Sequence, residues 1–326
     1  MRRRAGVALL AALWLVVAIA TVALQFSIEA RERRTLGILA SERGIQRGLA
    51  AGALSLLQAR LEQAIRVAPQ STNPNIARLR SSDPWSDVDS LYSGHVLVDS
   101  TEVEVRARDL GEQLNVNLIG ETELQAFFSF LLRDYATATH LAQTIMDWRD
   151  ADSIPRPNGA ERDAYIKAGL LALPANAPFR DLEDLRDVMG MTDEIYNKAR
   201  PYLTTRGTGA INVNSAPVAV LRAIPGMTDA TINLIVQLRS QGRRISSIND
   251  IFPPARGGRR GAGQPPGGAI GNAIAARTIF ATNQVELTIT ARTGPQSSPT
   301  RLVAIVRRVG AATGPDATVT VPFREW

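Results

Sequence analysis

Residues Gly6–Leu24 read GVALLAALWLVVAIATVAL, preceded by Arg2, Arg3 and Arg4. The stretch holds no charge and no proline. At about 1.5 Å per residue, an α-helix of this length crosses most of a bilayer's roughly 30 Å hydrocarbon core. The arginines keep its N-terminus in the cytoplasm, because positive flanks are not translocated. Everything after Gln25 then lies on the far side. Three fates are open to the segment. It is a retained anchor, a secretory signal cut after Ala18-Ile19-Ala20, or a pilin-type leader cut at Gly6–Val7 that leaves the apolar helix on the mature chain.

Working outward, the helical pattern does not stop where the apolar run does. No proline occurs before Pro69, and Ala, Leu, Arg, Glu and Gln dominate residues 28–66, all good helix formers. Leu54, Leu57, Leu61 and Ile65 recur at steps of three and four, as do Leu36–Leu39 and Ile45–Leu49. Glu29, Arg31, Arg33, Arg34, Arg43 and Arg47 occupy the other face. One long helix over residues 7–67 is expected, transmembrane to about residue 26 and amphipathic beyond. A break at Gly37 or Gly44 is the alternative. Either way, the leucines need a surface to cover them.

The rest of the 326 residues suffices for two domains, with 45% hydrophobic residues to form cores. The net charge of +6 falls by three if Arg2–Arg4 leave with a leader. Lys167 and Lys198 are the only lysines, an arginine bias that reflects genome composition more often than a binding face. With no cysteine, neither disulfides nor a zinc–thiolate site can form. His95 and His140 alone give little material for a histidine-based metal or triad site.

Residues 68–90 read as a loop rich in Pro, Ser, Asn and Asp. Tyr92–Val98, Thr101–Arg108 and Gln113–Ile119 have strand character, which returns in Val285–Thr290, Leu302–Val309 and Thr318–Phe323. Between them, residues 121–252 are helical in pattern, and residues 253–272 form a Pro/Gly/Arg segment expected to be a disordered loop. Strands on both sides of a helical block imply an all-α domain inserted into one sheet, residues 68–120 and 273–326, with the long helix packed on it: an α+β fold.

The helical block repeats itself. Leu114-Asn115-Val116-Asn117 with Leu124 matches Ile211-Asn212-Val213-Asn214 with Leu221, and Val188–Asp193 matches Ile224–Asp229. The Gly turns followed by Thr caps resemble helix-hairpin-helix units. In DNA-binding versions the N–H groups of such a turn hold a phosphate. Arg222, Arg239, Arg243 and Arg244 make that conceivable for the second unit, so a membrane-anchored DNA-binding protein is the alternative reading. Asp184, Asp187, Asp193 and Glu194 argue against it for the first.

Asp147, Asp150 and Asp152, followed by Glu161, form a carboxylate cluster. Hard oxygens on a loop suit Ca²⁺, although helix capping by Asp150 or Asp152 accounts for the spacing equally well. No phosphate loop, nucleophile elbow or triad accompanies the cluster, so no enzyme is expected.

Together, the leader RRRAG-VALLAALWLV, DWRDAD (147–152), GAE (159–161), Tyr165, PANAPF (174–179), DLEDLRDVMGM (181–191) and INVNSAPVAVLRAIPGM (211–227) resemble the minor pseudopilin K family of type II secretion systems. The resemblance covers almost the whole chain. It implies a pseudopilin fold, a leader of residues 1–6 removed by the prepilin peptidase between Gly6 and Val7, and methylation of Val7. Ala5 before Gly6 departs slightly from the commonest leader. Most pilins carry a glutamate as fifth mature residue; here it is Ala11, as the K family implies. The implied site is the tip of a pseudopilus in the inner membrane, N-terminus cytoplasmic and bulk periplasmic. The implied partners are minor pseudopilins I and J, with no nucleic acid expected. Family members bind calcium in the helical domain, and Asp150, Asp152 and Glu161 are the ligands this implies here.

Overall fold

The computed structural model describes residues 2–67, 93–99, 101–252, 268–295, 297–308 and 318–325. The loop expected over 68–90 and most of the 253–272 segment lie outside the described residues.

Helix α1 (Arg2–Val67) is a single helix of 66 residues, unbroken at Gly37 or Gly44 and roughly 100 Å long. From Leu13 to Ile45 every side chain but that of Glu42 is exposed. From Gln46 onward one face turns inward: Gln46, Leu49, Ala50, Ala53, Leu54 and Leu57 are buried. They lie against an antiparallel sheet of five strands in the order β1-β2-β7-β8-β9. These strands are β1 (Gly94–Val98), β2 (Thr101–Asp109), β7 (Gln284–Ala291), β8 (Thr300–Arg308) and β9 (Thr318–Glu325). Period-two alternation sends Val103, Val105 and Ala107, then Val285, Leu287 and Ile289, then Leu302, Ala304 and Val306 into this core. Small residues let the helix approach closely, and a Cβ on Gly52 would stand 2.9 Å from Val98 Cγ1.

Between β2 and β7 the chain builds a second core. Its elements are β3 (Leu114–Asn115), α2 (Glu121–Leu132), α3 (Tyr135–Arg149), α4 (Arg162–Lys167), α5 (Asp193–Ala199), β4 (Leu203–Thr204), β5 (Ile211–Asn212), α6 (Val218–Leu221), α7 (Asp229–Ser240), α8 (Ile248–Ile251), α9 (Gly268–Arg277) and β6 (Thr278–Ile279). Tyr165, Tyr196, Phe127 and Phe128 are its largest fully buried residues.

The boundaries of this insertion correct the sequence reading. Gln113–Ile119 is not a strand of the sheet. Leu114 and Asn115 pair, parallel, with Leu203 and Thr204, and Leu114, Val116 and Ile119 join the helical core. The alternation of Leu, Val and Leu there reflects a tight turn whose asparagines bond the backbone, not a pleat. The return is also later than residue 273. Helix α9 begins at Gly268 inside the segment expected to be a loop, Ile274 packs in the helical core, and Thr278–Ile279 pair with Ile211–Asn212.

Asp109 joins the two units where β2 leaves the sheet. Its buried carboxylate accepts hydrogen bonds from Gly111 N (2.8 Å), Asn212 Nδ2 (2.7 Å), Ser215 Oγ (2.7 Å) and Thr282 Oγ1 (2.9 Å). Exit strand, helical domain and return strand thus share one anion, which satisfies a group too costly to bury alone.

Candidate functional site

Asp150, Asp152 and Glu161 converge. One carboxylate oxygen from each lies within 4.8 Å of the others. Asp150 closes α3, its N–H donating to Met146 O, while Glu161 begins α4 without a side-chain capping bond. Asp152 turns the loop by accepting Ile154 N at 2.8 Å. The capping alternative therefore describes the backbone but leaves oxygens over. Asp150 Oδ1 and both Glu161 oxygens are buried without a hydrogen-bond partner. Burial raises the Glu161 pKa above the usual carboxylate range, and the charges of Asp147 and Asp150 add to it against a small opposing effect of the Arg162 N–H.

One wall of this pocket carries its own cation. Arg156 Nη1 donates to Asp147 Oδ1 (2.6 Å) and Asp150 Oδ2 (2.5 Å), its backbone N–H donates to Asp147 Oδ2 (3.2 Å), and Nε lies 3.4 Å from Glu121. Burial alone would lower the Arg156 pKa, but the hydrogen bonds to Asp150 and Asp147 outweigh it and raise it. Asp147 is wholly buried, and a Cβ on Gly159 would sit 1.9 Å from its Oδ2, so only glycine fits there. Below, Trp148 stacks on Phe179 at 6.0 Å, and Tyr165, its hydroxyl pushed up to about 12 by burial, accepts Met189 N at 2.8 Å.

Oxygens within 4.8 Å of one another suit an ion with ligands at about 2.4 Å, the Ca²⁺ range. The unpartnered oxygens make the donor set fit such an ion. Arg156, which organises the set, was not singled out from sequence; its place four residues beyond an Asp-rich run was the signal.

The two Asn-x-Asn turns form a second constellation. Asn115 Oδ1 accepts Asn117 N (2.9 Å), and Asn117 in turn exchanges two bonds with the backbone of Phe179 (2.8 and 2.9 Å). Asn212 Oδ1 accepts Asn214 N (3.0 Å), and Asn214 does the same with Ile245 (2.9 and 2.8 Å). Arg149 donates to the carbonyls of Val116 and Ile119, and Arg239 to those of Val213 and Ala216. The second expected match behaves differently. Thr192 and Thr228 do cap α5 and α7, but the Gly226 turn lies inside its Asn-x-Asn unit, whereas the Gly190 turn follows the first unit.

Three of the four arginines of the DNA-binding alternative are engaged within the fold, while Arg243 is exposed. Arg239 is spent on carbonyls, with burial lowering it to about 10. Arg222 pairs with Asp229 at 2.5 Å and lies over Phe130, and Arg244 donates to Phe280 O. Gly6 and Val7 lie on one continuous turn of α1.

A family model described as "Type II secretion system (T2SS), protein K" matches residues 108–208, starting where the structure leaves the sheet. Type II secretion system protein K of Dickeya chrysanthemi is 26% identical, with 81% of this chain and 86% of that protein covered. Its counterpart in Pseudomonas aeruginosa is 27% identical over 77% and 76%. The fold is similar to a chain of the crystal structure of the GspK-GspI-GspJ complex of enterotoxigenic Escherichia coli, with TM-score 0.59, 16% identity, and 91% and 99% covered. A long apolar helix on a small antiparallel sheet, with a helical domain set into the sheet, is the fold this chain shares with that complex, and its matching relatives are type II secretion system K proteins. In sequence the chain is similar to type II secretion system protein K. Its N-terminal helix is long and apolar enough for a single membrane-spanning anchor.

Proposed function

We propose that this protein is the tip subunit of a pseudopilus and that, with minor pseudopilins I and J, it starts pseudopilus assembly for protein export across the outer membrane. The observation that carries the reading is α1, bare from Leu13 to Ile45 and headed at one end by two packed units. Leu36, Leu39 and Ile45 stay exposed beyond the apolar run, and neighbouring helices would cover them. A bulky inserted domain suits a tip better than a repeating shaft. Ala11 suits it too, since a buried glutamate with no neighbouring amine would be costly. The chain sits in the inner membrane, N-terminus cytoplasmic and bulk periplasmic. The prepilin peptidase removes residues 1–6 at Gly6–Val7 and methylates Val7. The role is structural rather than enzymatic.

In the helical domain, Asp150, Asp152 and Glu161 would hold Ca²⁺, which supplies charge for three carboxylates that otherwise repel. Arg156 holds Asp147 and the far oxygen of Asp150, so that Oδ1 stays aimed into the pocket.

The decisive experiment is the N-terminal mass of the protein recovered from its native membrane. Methylated Val7 as first residue is the expected result. A chain starting at Met1, or one starting near Thr21, would defeat the pseudopilin processing. Co-purification of I and J with the full chain tests the assembly role separately.

A further inference from the structure

A second polar residue is buried where the free part of α1 meets the head. Gln46 is 1% exposed and is the first inward-facing position of the stripe continued by Leu49, Ala50, Ala53, Leu54 and Leu57. Its Nε2 donates to Ser298 O (3.0 Å), Thr293 Oγ1 (3.3 Å) and Ser297 Oγ (3.5 Å), and its Oε1 accepts from Thr300 Oγ1 (2.6 Å). All four partners belong to the start of β8 and the turn before it.

The apolar character of the stripe does not by itself define one register; residue size and polar partners do. If α1 slid along the sheet by four residues, Ala50, Ala53, Leu54 and Leu57 would take the places of Gln46, Leu49, Ala50 and Ala53. Those four places would stay apolar or become so, but leucines would replace the fully buried Ala50 and Ala53, Leu56 would replace Gly52 beside Val98, and Gln58 would enter the place of Leu54. The slide also breaks the polar set. Ala50 would face the Thr300 hydroxyl and the Ser298 carbonyl, leaving buried groups unpaired. A slide in the other direction would bring Glu42 to the same place and bury Gln46 against apolar side chains. One buried amide with matched partners thus locks the register that the small residues favour, as polar core residues do in coiled coils.

We infer that Gln46 is the register pin of the anchor helix, the residue that fixes how far the membrane segment projects from the head and in which direction the head faces. Roughly 30 Å of helix separates Gln46 from Gln25. A four-residue slip would change that spacing by about 6 Å and turn the head by about 40° about the helix axis. The consequence for assembly rests on the anchor reading above; the pin itself does not.

The chain contains no cysteine, so introduced pairs report contacts cleanly. Gly52→Cys with Val98→Cys reads the observed register, since a Cβ at 52 already touches Val98. Leu56→Cys with Val98→Cys reads the slipped one. In the full chain in membrane vesicles, the parent should form only the 52–98 link. Gln46→Leu should lose part of that link and gain 56–98. Gln46→Leu giving only the 52–98 link would overturn the proposal. If Gln46→Leu forms neither link, Thr300→Val, which removes one partner, decides by the same criterion: a 56–98 link supports the pin, and 52–98 alone overturns it. These links form before any assembly, so failure of the pseudopilin reading would leave them unchanged.

Discussion

Residues 114–184 and 211–250 are built on the same hydrogen bonds and differ in what they enclose. In each, an arginine at the end of a helix reaches back to two carbonyls three residues apart, and an asparagine amide grips an apolar residue by its backbone. Five residues after that apolar residue comes an aspartate that accepts two successive N–H groups, Asp184 in the first and Asp250 in the second. Even the turn between helices corresponds. Arg133 and Gly226 both adopt positive φ (59° and 82°), ahead of the N-caps Asp134 and Thr228. The difference lies between arginine and gripped residue. The second unit crosses in residues 240–244, while the first inserts residues 150–178, which carry the carboxylates and Arg156. The repeated bonds are scaffold, and the candidate cation site is an insertion upon it.

If the scaffold is equivalent, its arginines should be too. Arg149→Ala and Arg239→Ala each strip a charged donor from two buried carbonyls, and we expect each to cost about 3–5 kcal/mol. Thermal unfolding of the full chain in detergent would measure this. Only Arg149→Ala should also weaken calcium binding, because Asp150 follows it directly. Equal calcium affinity in both variants would break the asymmetry. Next in size is Gly159→Ala, whose methyl would displace Asp147 from Arg156. A loss of about 3 kcal/mol is expected, together with the calcium-induced rise in Tm. The counterpart loop has no such position. Asn117→Ala and Asn214→Ala then compare the grips themselves. Each should cost about 2 kcal/mol, with Asn214→Ala slightly the larger, since its amide also donates to Phe280 O. Hydrogen exchange at Phe179 and Ile245 would locate each loss.

Much of this was legible in the sequence for identifiable reasons. The helix was readable because a charge-free run fades into a three-and-four stripe, and β2, β7 and β8 because one face is covered and alternation is strict. The pairing of Leu114–Asn117 with Ile211–Asn214 was readable as words. Its meaning was not, because Asn117 meets Phe179 and Asn214 meets Ile245 at separations that no local rule connects. The same blindness misplaced Gln113–Ile119, where alternating Leu, Val and Leu imitate a strand while the asparagines between them bond the backbone. The three carboxylates could be picked out by type and spacing. That Glu161 would be buried with both oxygens unpartnered could not, since its burial comes from the fold around it and not from its neighbours in sequence.

That burial sets up the smallest effect. A folded-state pKa raised above the ordinary value means that Glu161 holds its proton more tightly in the native protein. Its contribution to stability is present below the unfolded carboxyl value and is lost as pH rises through the folded one. Without calcium, lowering the pH from 7 toward the carboxylate range should therefore raise the Tm of the first unit. With calcium bound, the ionised form is the one stabilised, so acid should lower the Tm instead. Glu161→Gln removes the proton from the balance. It should raise the Tm without calcium and erase both the pH trend and the response to calcium. The second unit encloses no such group, so amide exchange at Ile245 should stay flat across the same titration. A matching trend at Ile245 would mean that the acid response belongs to the shared scaffold and not to the inserted pocket.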